Sequence, residues 1–327
     1  MKKRNFILGL FLLLCSLANA QVSAPVFNVK EYGATGNGKS LDSPAINAAI
    51  DAAAKAGGGT VYLQAGTYLC YSIRLKSNIA LYLDQGAVIL ADDSTGYDAP
   101  EPNQWYKFQD FGHSHWQNSL IWGENLENIS ILGPGLIYGK GLVTEGDRKP
   151  SGTGNKTISL KFCRNVNLKD ISILMGGHFA ILATGVDNFT IDNLKIDTNR
   201  DGMDIDCCRN VRVSNCSVNS PGDDGICLKS CYGLGMARST DNVTITNCLV
   251  SGFDAGTMLD GTYQCQKTKT PRTGRIKCGT ESNGGFRNIT ITNCVFDHCR
   301  GLALETVDGA LLEDVSITNI TMRDIVN

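Results

Sequence analysis

The sequence lacks an excess of either charge, a C-x-x-C motif and, after its first twenty residues, any apolar run long enough to cross a membrane. Its 30 Lys and Arg residues stand against 32 Asp and Glu residues, a balance that excludes a charged disordered tail and a nucleic-acid scaffold. The four histidines, at positions 113, 115, 178 and 298, are not spaced as zinc ligands. We therefore expect no nucleic-acid partner, no membrane span and no zinc centre.

Residues 1–20 have the three parts of a secretory signal. A basic head at 2–4 precedes an apolar stretch at 6–17, too short to span a bilayer, and small residues at 18–20 form a cleavage site. Cleavage would remove three of the 30 basic residues and leave 27 against 32 acidic ones, a net charge near −5. A lipid anchor on Cys15 is the alternative, but the residues before it are not the small ones usual at such a site. The prediction is a soluble protein that is secreted or periplasmic.

A short phrase recurs past residue 120 and indicates a repeat architecture. Examples are ENIS at 127, RNVR at 209 and RNIT at 287. The shorter intervals between successive phrases are 22–26 residues, and three longer ones contain insertions, as expected for stacked coils with loops on one face. The second letter of each phrase is taken as an anchor: Asn128, Asn165, Asn188, Asn210, Asn242, Asn288 and Asp314.

Apolar residues follow the anchors at fixed offsets of one, three and eight, as in Val211, Val213 and Val218. Spacings of two and β-branched side chains are typical of strands. At offset five stands Asn or Asp, as in Asn215, and these residues tolerate the left-handed conformation of a tight turn. Short parallel strands that turn at the same point in every coil, in a chain with 36 glycines, predict an all-β parallel β-helix.

The first part of the mature chain is predicted to cap this solenoid. Asp42 provides a capping side chain and Pro44 a first-turn proline for an alanine-rich helix at 45–56, which three glycines end. Strands are predicted at 60–63, 79–83 and 87–90. A helix over the open end of a solenoid shields its core from water. We expect a single β-helix catalytic domain over 21–327, truncated at its C-terminus, because the chain stops in mid-coil thirteen residues after the last anchor.

Thirteen cysteines in an exported protein raise the question of disulfides. Cys216, Cys248 and Cys294 all lie six residues after an anchor, where other coils have Ile or Leu. We therefore predict buried thiols that act as small hydrophobic side chains. Neighbouring coils are ~4.8 Å apart, within disulfide range, so pairing between these cysteines remains open.

Three aspartates are predicted to converge on neighbouring coils. The residues thirteen positions after successive anchors are His178, Asp201, Asp223 and Ala255. Asp201 and Asp223 then share a phase, and Asp224 follows directly. Adjacent carboxylates repel one another and separate their pKa values, so one can remain an acid while the others hold water, as glycosidic bond hydrolysis requires. A solvated Asp-rich turn is the alternative, and the sequence does not show which way Asp204 and Asp206 face.

Several motifs occur in an order that indicates a known family. They are Phe27–Val29, Tyr32–Gly38, the stretch GGGTVYLQAGTY at 57–68, Asn199–Gly202 and Gly222–Asp224. Together they resemble glycoside hydrolase family 28, the polygalacturonase-like enzymes of pectin breakdown, in which the last two motifs read N-T-D and G-D-D. The resemblance spans nearly the whole mature chain.

The resemblance implies a right-handed parallel β-helix of the pectin lyase type and inverting hydrolysis without a metal or other cofactor. Asp223 would be the general acid, and Asp201 and Asp224 would activate water. Lys229 matches a position where the family often has a basic substrate contact, although a solvated surface lysine is the alternative. His178, the residue of the carboxylate column on the preceding coil, is a second candidate for substrate binding.

Two departures from the family concern the sugar-binding residues. Thr273 and Gly274 stand where its G-H-G is expected, and Gly301–Thr306 stands where its R-I-K is expected. Arg275 and Lys277 do belong to an R-I-K, but one coil early, either as a coincidence of letters or as a relocated clamp for substrate carboxylates. Members that act on rhamnogalacturonan similarly lack this set.

The predicted function is hydrolysis of a galacturonate-containing pectic polysaccharide or oligosaccharide, of rhamnogalacturonan or polygalacturonan type, by a monomer. One alternative is a pectic polysaccharide lyase that uses the three aspartates as Ca²⁺ ligands and an arginine as base. A second is a non-catalytic glycan-binding β-helix, which would bind sugars without turnover and would not need the aspartates.

Overall fold

The computed structural model describes residues 25–108, 112–144, 151–265 and 272–326, and the predicted signal at 1–20 lies outside this range. The described residues form 28 strands, the helix α1 at Ser43–Lys55, and two short 3₁₀ helices at Val29–Tyr32 and Tyr106–Phe108. The strands pair in parallel within three sheets, A, B and C, in which strands from successive coils are neighbours. This confirms the predicted parallel β-helix with a helix at its N-terminal end.

Sheet A contains β1 (Val26–Asn28), β3 (Gly59–Leu63), β6 (Ile79–Leu83), β9 (Glu127–Leu132), β12 (Arg164–Lys169), β15 (Asp187–Asp192), β18 (Arg209–Ser214), β21 (Thr240–Thr246), β24 (Phe286–Thr292) and β27 (Leu312–Thr318). Sheet B contains β2 (Asn37–Leu41), β4 (Gly66–Cys70), β7 (Ala87–Ala91), β10 (Leu136–Tyr138), β13 (Ser172–Leu174), β16 (Lys195–Asp197), β19 (Ser217–Asn219), β22 (Leu249–Ser251), β25 (Val295–Asp297) and β28 (Thr321–Arg323). Sheet C contains β5 (Ile73–Arg74), β8 (Ile121–Glu124), β11 (Lys156–Lys161), β14 (Phe179–Thr184), β17 (Asp201–Asp206), β20 (Ile226–Ser230), β23 (Arg275–Ser282) and β26 (Gly301–Leu304).

The turn from sheet A to sheet B has the left-handed conformation that the repeat predicts. The residue five positions after the anchor has φ between 51° and 66° in the six coils from Asp170 to Asn319. The anchors have φ of 54–57° as well, which the sequence pattern did not predict. Their side chains form a ladder, in which the amide of Asn165 donates to Asn128 and that of Asn188 donates to Asn165, each at 2.9 Å. These side-chain hydrogen bonds between asparagines hold successive coils in register.

The predicted helix does cap the solenoid, but Asp42, the residue before it, does not have the role that the sequence predicts. Helix α1 buries Ile46, Ala49, Ile50 and Ala53, a spacing of three and four that puts them on one face against the first coils. Asp42 makes no side-chain capping bond to the helix. Its carboxylate instead accepts hydrogen bonds from the backbone N–H groups of the preceding loop at 35–36, at 2.7 and 2.9 Å, so the capping prediction is wrong.

The interior is a continuous column of Val, Ile and Leu side chains from the inward offsets of successive coils. Cys216, Cys248 and Cys294 lie in this column with at most 2% of their surface exposed, as predicted, and the twelve cysteines of the described chain are free thiols. In the last described coil Met322 is 45% exposed, because no further strand of the described residues covers it. None of the described helices is long and apolar enough to cross a membrane.

Candidate active site

The outer face of sheet C forms the floor of the candidate site. In β17, Met203 and Ile205 point into the core, so Asp204 and Asp206 between and after them belong to the outer face. Both are nevertheless fully buried, because other side chains lie over them. The Asp204 carboxylate lies 3.1 Å from His113 Nε2, and Asp206 accepts a hydrogen bond from the backbone of Cys231 at 2.8 Å. This settles the orientation that the sequence left open.

The three predicted aspartates do converge. Carboxylate oxygens of Asp201, Asp223 and Asp224 all lie within 4.8 Å of one another. The regular pairing of β17 with β20 begins at Met203 and Ile226, which places Asp224 level with Asp201. The prediction that Asp223 lies level with Asp201 is therefore wrong by one residue. The coil that leads into β20 has one more residue before sheet C than the coil that leads into β17. The prediction for His178 fails in the same way, since Phe179 is the register partner of Asp201.

Arg200 connects the carboxylates to His178, and sequence reasoning missed it. One guanidinium nitrogen lies 2.6 Å from Asp223 Oδ2 and 3.4 Å from Asp201 Oδ2, and the other terminal nitrogen lies 2.6 Å from His178 Nδ1. The available signal was its place at the centre of the Asn199–Asp201 motif. His178 is only 1% exposed, so it is a partner of Arg200 rather than a surface on which a sugar could rest. Burial, and then Arg200, lower the pKa of His178 to about 3, which keeps it neutral.

The early R-I-K lies at the site, because β23 pairs directly with β20 on the coil after the aspartates. Arg275 Nε lies 2.5 Å from Asp224 Oδ1, and Lys277 Nζ lies 3.5 Å from Asp224 Oδ2. Lys277 is also 3.4 Å from Glu305 on the following coil. The structure therefore favours a relocated cationic cluster over a coincidence of letters.

Lys229 is part of a buried ion-pair network rather than a solvated surface lysine. Its Nζ lies 2.6 Å from Glu281 Oε2 and 3.9 Å from Asp204 Oδ2, and its side chain is almost completely covered. Burial would lower the pKa of this amine, but the neighbouring Cys227, Asp204 and Glu281 raise it well above its ordinary value. Lys229 thus carries a positive charge beneath the site, where it stabilises the carboxylates.

The pKa values of Asp201 and Asp223 are shifted in opposite directions by their surroundings, as the sequence predicts for neighbouring carboxylates. Burial, together with the nearby Asp204 and Asp223, raises the pKa of Asp201 well above its ordinary value. Burial acts in the same direction on Asp223, but its hydrogen bond with Arg200 outweighs this and lowers its pKa. The side chain of Asp223 is 29% exposed, against 5% for Asp201 and 3% for Asp224. The site thus combines a buried carboxyl group whose pKa is raised with a more exposed carboxyl group whose pKa is lowered.

The sequence matches two protein-family models. The model "Glycosyl hydrolases family 28" matches residues 106–326. The chain belongs to this family. A second model, "Rhamnogalacturonase A/epimerase, pectate lyase-like", matches residues 26–176.

Several polygalacturonases are similar to this family 28 chain over most of its length at low identity. It is 24% identical over 314 residues to a probable polygalacturonase of Vitis vinifera, covering 90% of this chain and 60% of that protein. It is also 24% identical over 300 residues to an endo-polygalacturonase of Pectobacterium carotovorum subsp. carotovorum, covering 82% of this chain and 73% of that one. An exopolygalacturonase structure from Thermotoga maritima superposes with a TM-score of 0.68 at 19% identity, over 93% of this chain and 76% of that one. The fold is accordingly a right-handed parallel β-helix.

Proposed function

We propose that this protein is a glycoside hydrolase that cleaves galacturonate-containing pectic polysaccharide, of rhamnogalacturonan or polygalacturonan type, outside the cytoplasm. The observation that carries the proposal is the convergence of Asp201, Asp223 and Asp224 within 4.8 Å on an outer sheet face. Hydrolysis of a glycosidic bond needs one carboxyl group that donates a proton and another that acts on water, and the separated pKa values supply both states. The secreted or periplasmic location rests on the leader at 1–20.

In the proposed mechanism Asp223 protonates the leaving oxygen, because it is the most accessible of the three carboxyl groups. In the resting protein it is held as an ion by Arg200, and Asp201 holds the proton. When a substrate carboxylate draws Arg200 away, Asp223 loses its ion pair and can take the proton. Asp201, which has then given up its proton, and Asp224 activate the attacking water.

Two finer parts of the proposal are supported unequally. Independence of a metal is supported by Arg200, Arg275 and Lys277, whose positive charges already neutralise the carboxylates and would repel a divalent cation. Inversion of the anomeric centre is supported by the family resemblance alone.

The first test is Asp223→Asn. We expect loss of turnover on pectic polymers by more than 10³-fold with the Tm kept near wild type, because the side chain is at the surface of the site and outside the core. The matched control is Asp170→Asn, at a turn position where other coils already have Asn. Activity within tenfold of wild type, only ~1.4 kcal/mol of barrier, would show that Asp223 is not the acid.

The same assay distinguishes the remaining alternatives. Proton NMR at early times reports the anomeric configuration of the product, and retention would reject inversion. Loss of activity on chelation, together with an unsaturated product that absorbs in the ultraviolet, would instead indicate the Ca²⁺-dependent lyase, in which the three clustered carboxylates would be the oxygen ligands. Binding without any turnover would indicate the glycan-binding β-helix.

A further inference from the structure

The outer face of sheet C is covered on the N-terminal side of the aspartates. Two stretches, 101–108 and 112–118, together called the cover, contribute side chains that lie over β11 and β14. Trp116 of the cover is fully buried, its Nε1 donates to Thr184 Oγ1 at 3.0 Å, and Lys161 Nζ lies 4.4 Å from the centre of its ring. Thr184 and Lys161 are the last residues of β14 and β11, so Trp116 lies over both strands.

The cover continues to the coil next to Asp201. Trp116, Phe179 and Leu182 form a hydrophobic cluster separate from the core, and Leu234 packs against it from the loop after β20. Phe179 is the register partner of Asp201, one coil before it. The strand position adjacent to Asp201 on that side is therefore filled by buried apolar side chains.

Several polar contacts fix the cover in place. The Glu101 carboxylate accepts hydrogen bonds from the backbone N–H groups of Trp116 and Gln117, each at 3.0 Å. The amide of Asn103 donates at 2.9 Å to the carbonyl of Ser114 and, at the same distance, to that of Gly233 in the loop after β20. These contacts tie the two stretches to each other and to a later coil, which makes the cover a wall rather than a movable lid.

The centre of the site is more open than its covered N-terminal side. Arg200 and Asp223, which lie there, have side chains that are 31% and 29% exposed. Among the described residues, access to the carboxylates is therefore from the centre of the site rather than from the N-terminal side.

From this asymmetry we infer that the enzyme removes sugars from one end of its polymer rather than cutting internal bonds. Neighbouring coils are ~4.8 Å apart, so the wall leaves room for about one sugar unit beyond the scissile bond on the N-terminal side. An internal cut needs the polymer to continue past the site in both directions, and the cluster around Phe179 blocks one of them. The inference rests on the proposed function, and it names the mode of attack at the same site.

The test follows viscosity and released reducing ends together while the full chain degrades polygalacturonate and rhamnogalacturonan. We expect reducing ends to accumulate while viscosity persists, with one short product length from the earliest times. A rapid fall in viscosity with mixed oligomers would overturn the inference and leave the proposed function standing. Absence of turnover on both polymers and their oligomers would reject the proposed function, and this inference with it.

Oligomers blocked at one end provide an independent measurement on the wild-type protein. One set is chemically reduced at the reducing end, and the other carries an unsaturated uronate at the non-reducing end. Blocking one of the two ends should lower the rate at least tenfold while blocking the other leaves it unchanged. Equal rates on both sets and on unblocked oligomers would overturn the inference.

A variant pair tests the wall itself. Trp116→Ala should increase the loss of viscosity per bond cleaved, because it removes the centre of the apolar cluster. The control is Trp122→Ala, a tryptophan of β8 whose Nε1 donates to Asp98 and which lies farther from the aspartates. Should Trp116→Ala fail to fold, the end-blocked oligomers still decide the question.

Discussion

Three carboxylates within 4.8 Å of one another cannot all be ionised without strong repulsion, and the neighbours of each determine which one keeps a proton. Arg200 is the residue that makes the difference here, because it lies 2.6 Å from Asp223 but 3.4 Å from Asp201. Asp201 is also the more deeply buried of the two. Of the two, Asp201 therefore has the higher affinity for a proton.

Because Asp201 has the higher proton affinity, we predict that Asp201→Asn changes stability and activity in opposite directions. The pKa of Asp201 is raised in the folded protein above its unfolded value of ~3.9. The group therefore has no effect on stability below pH ~3.9. It lowers stability progressively as pH rises from ~3.9 to the folded pKa, and above the folded pKa it keeps the full penalty of about 1.4 kcal/mol per unit of pKa difference. An uncharged asparagine removes the penalty.

We expect Asp201→Asn to lose turnover while its Tm at pH 7 rises by several degrees, with the gain disappearing near pH 3. Thermal unfolding at both pH values measures this, with Asp170→Asn as the control that should leave Tm unchanged at either pH. A Tm at pH 7 below that of wild type would contradict the assignment of the proton to Asp201.

At the scale of the strand, the inward phase of sheet A can be tested with neighbouring residues of β21. Ile245 is fully buried between Val213 and Ile291 of the flanking coils, whereas Thr244 beside it is half-buried on the outer face. Ile245→Asp should lower the free energy of unfolding by about 4 kcal/mol or more, because it buries an unpaired charge. Denaturant unfolding measures the loss.

Thr244→Asp is the matched control, since it introduces the same charge on the same strand, level with Arg212 of the preceding coil. It should change stability by less than about 1 kcal/mol. Similar losses for both variants would mean that the strand does not separate an inner from an outer face.

Sequence reasoning predicted the elements that repeat in every coil and failed where a coil is irregular. The offsets from anchors such as Asn210 placed the strands of sheets A and B and their turns, because the number of residues between them is constant. Sheet C follows turns of variable length, and a single extra residue moved Asp223 out of phase with Asp201. Arg200 could not be found from a spacing at all, because its role depends on where a long side chain reaches across coils.

At the scale of the whole molecule, charge opposes the proposed substrate. The mature chain carries a net charge near −5 if the leader is removed. An anionic polymer must therefore be attracted by a local field, and the cations close to the carboxylates, Arg200, Arg275 and Lys277, provide it. Since each of them is already paired with an aspartate, the net positive potential available to a run of uronates is small.

This balance predicts a higher kcat/KM on rhamnogalacturonan than on polygalacturonate. Rhamnogalacturonan alternates neutral and acidic sugars, so it needs fewer cationic contacts. Ala303 is the register partner of Lys277 on the next coil, and Glu305 lies there at 3.4 Å from Lys277, partly exposed. A glutamate at this position repels a neighbouring uronate and competes for the lysine. Polymers and oligomers of both kinds, compared at equal ionic strength, measure the preference.

Glu305→Gln should narrow this preference several-fold, by raising kcat/KM on polygalacturonate more than on rhamnogalacturonan. The matched control is Glu313→Gln, which removes an equal charge from an exposed residue of β27 on sheet A and should leave both values unchanged. Because the interaction is electrostatic, the effect of Glu305→Gln should also shrink as salt is raised. A higher kcat/KM of the wild-type protein on polygalacturonate would contradict this prediction. An equal gain in kcat/KM on both polymers in Glu305→Gln would contradict it as well, since repulsion of consecutive uronates acts only on the homopolymer.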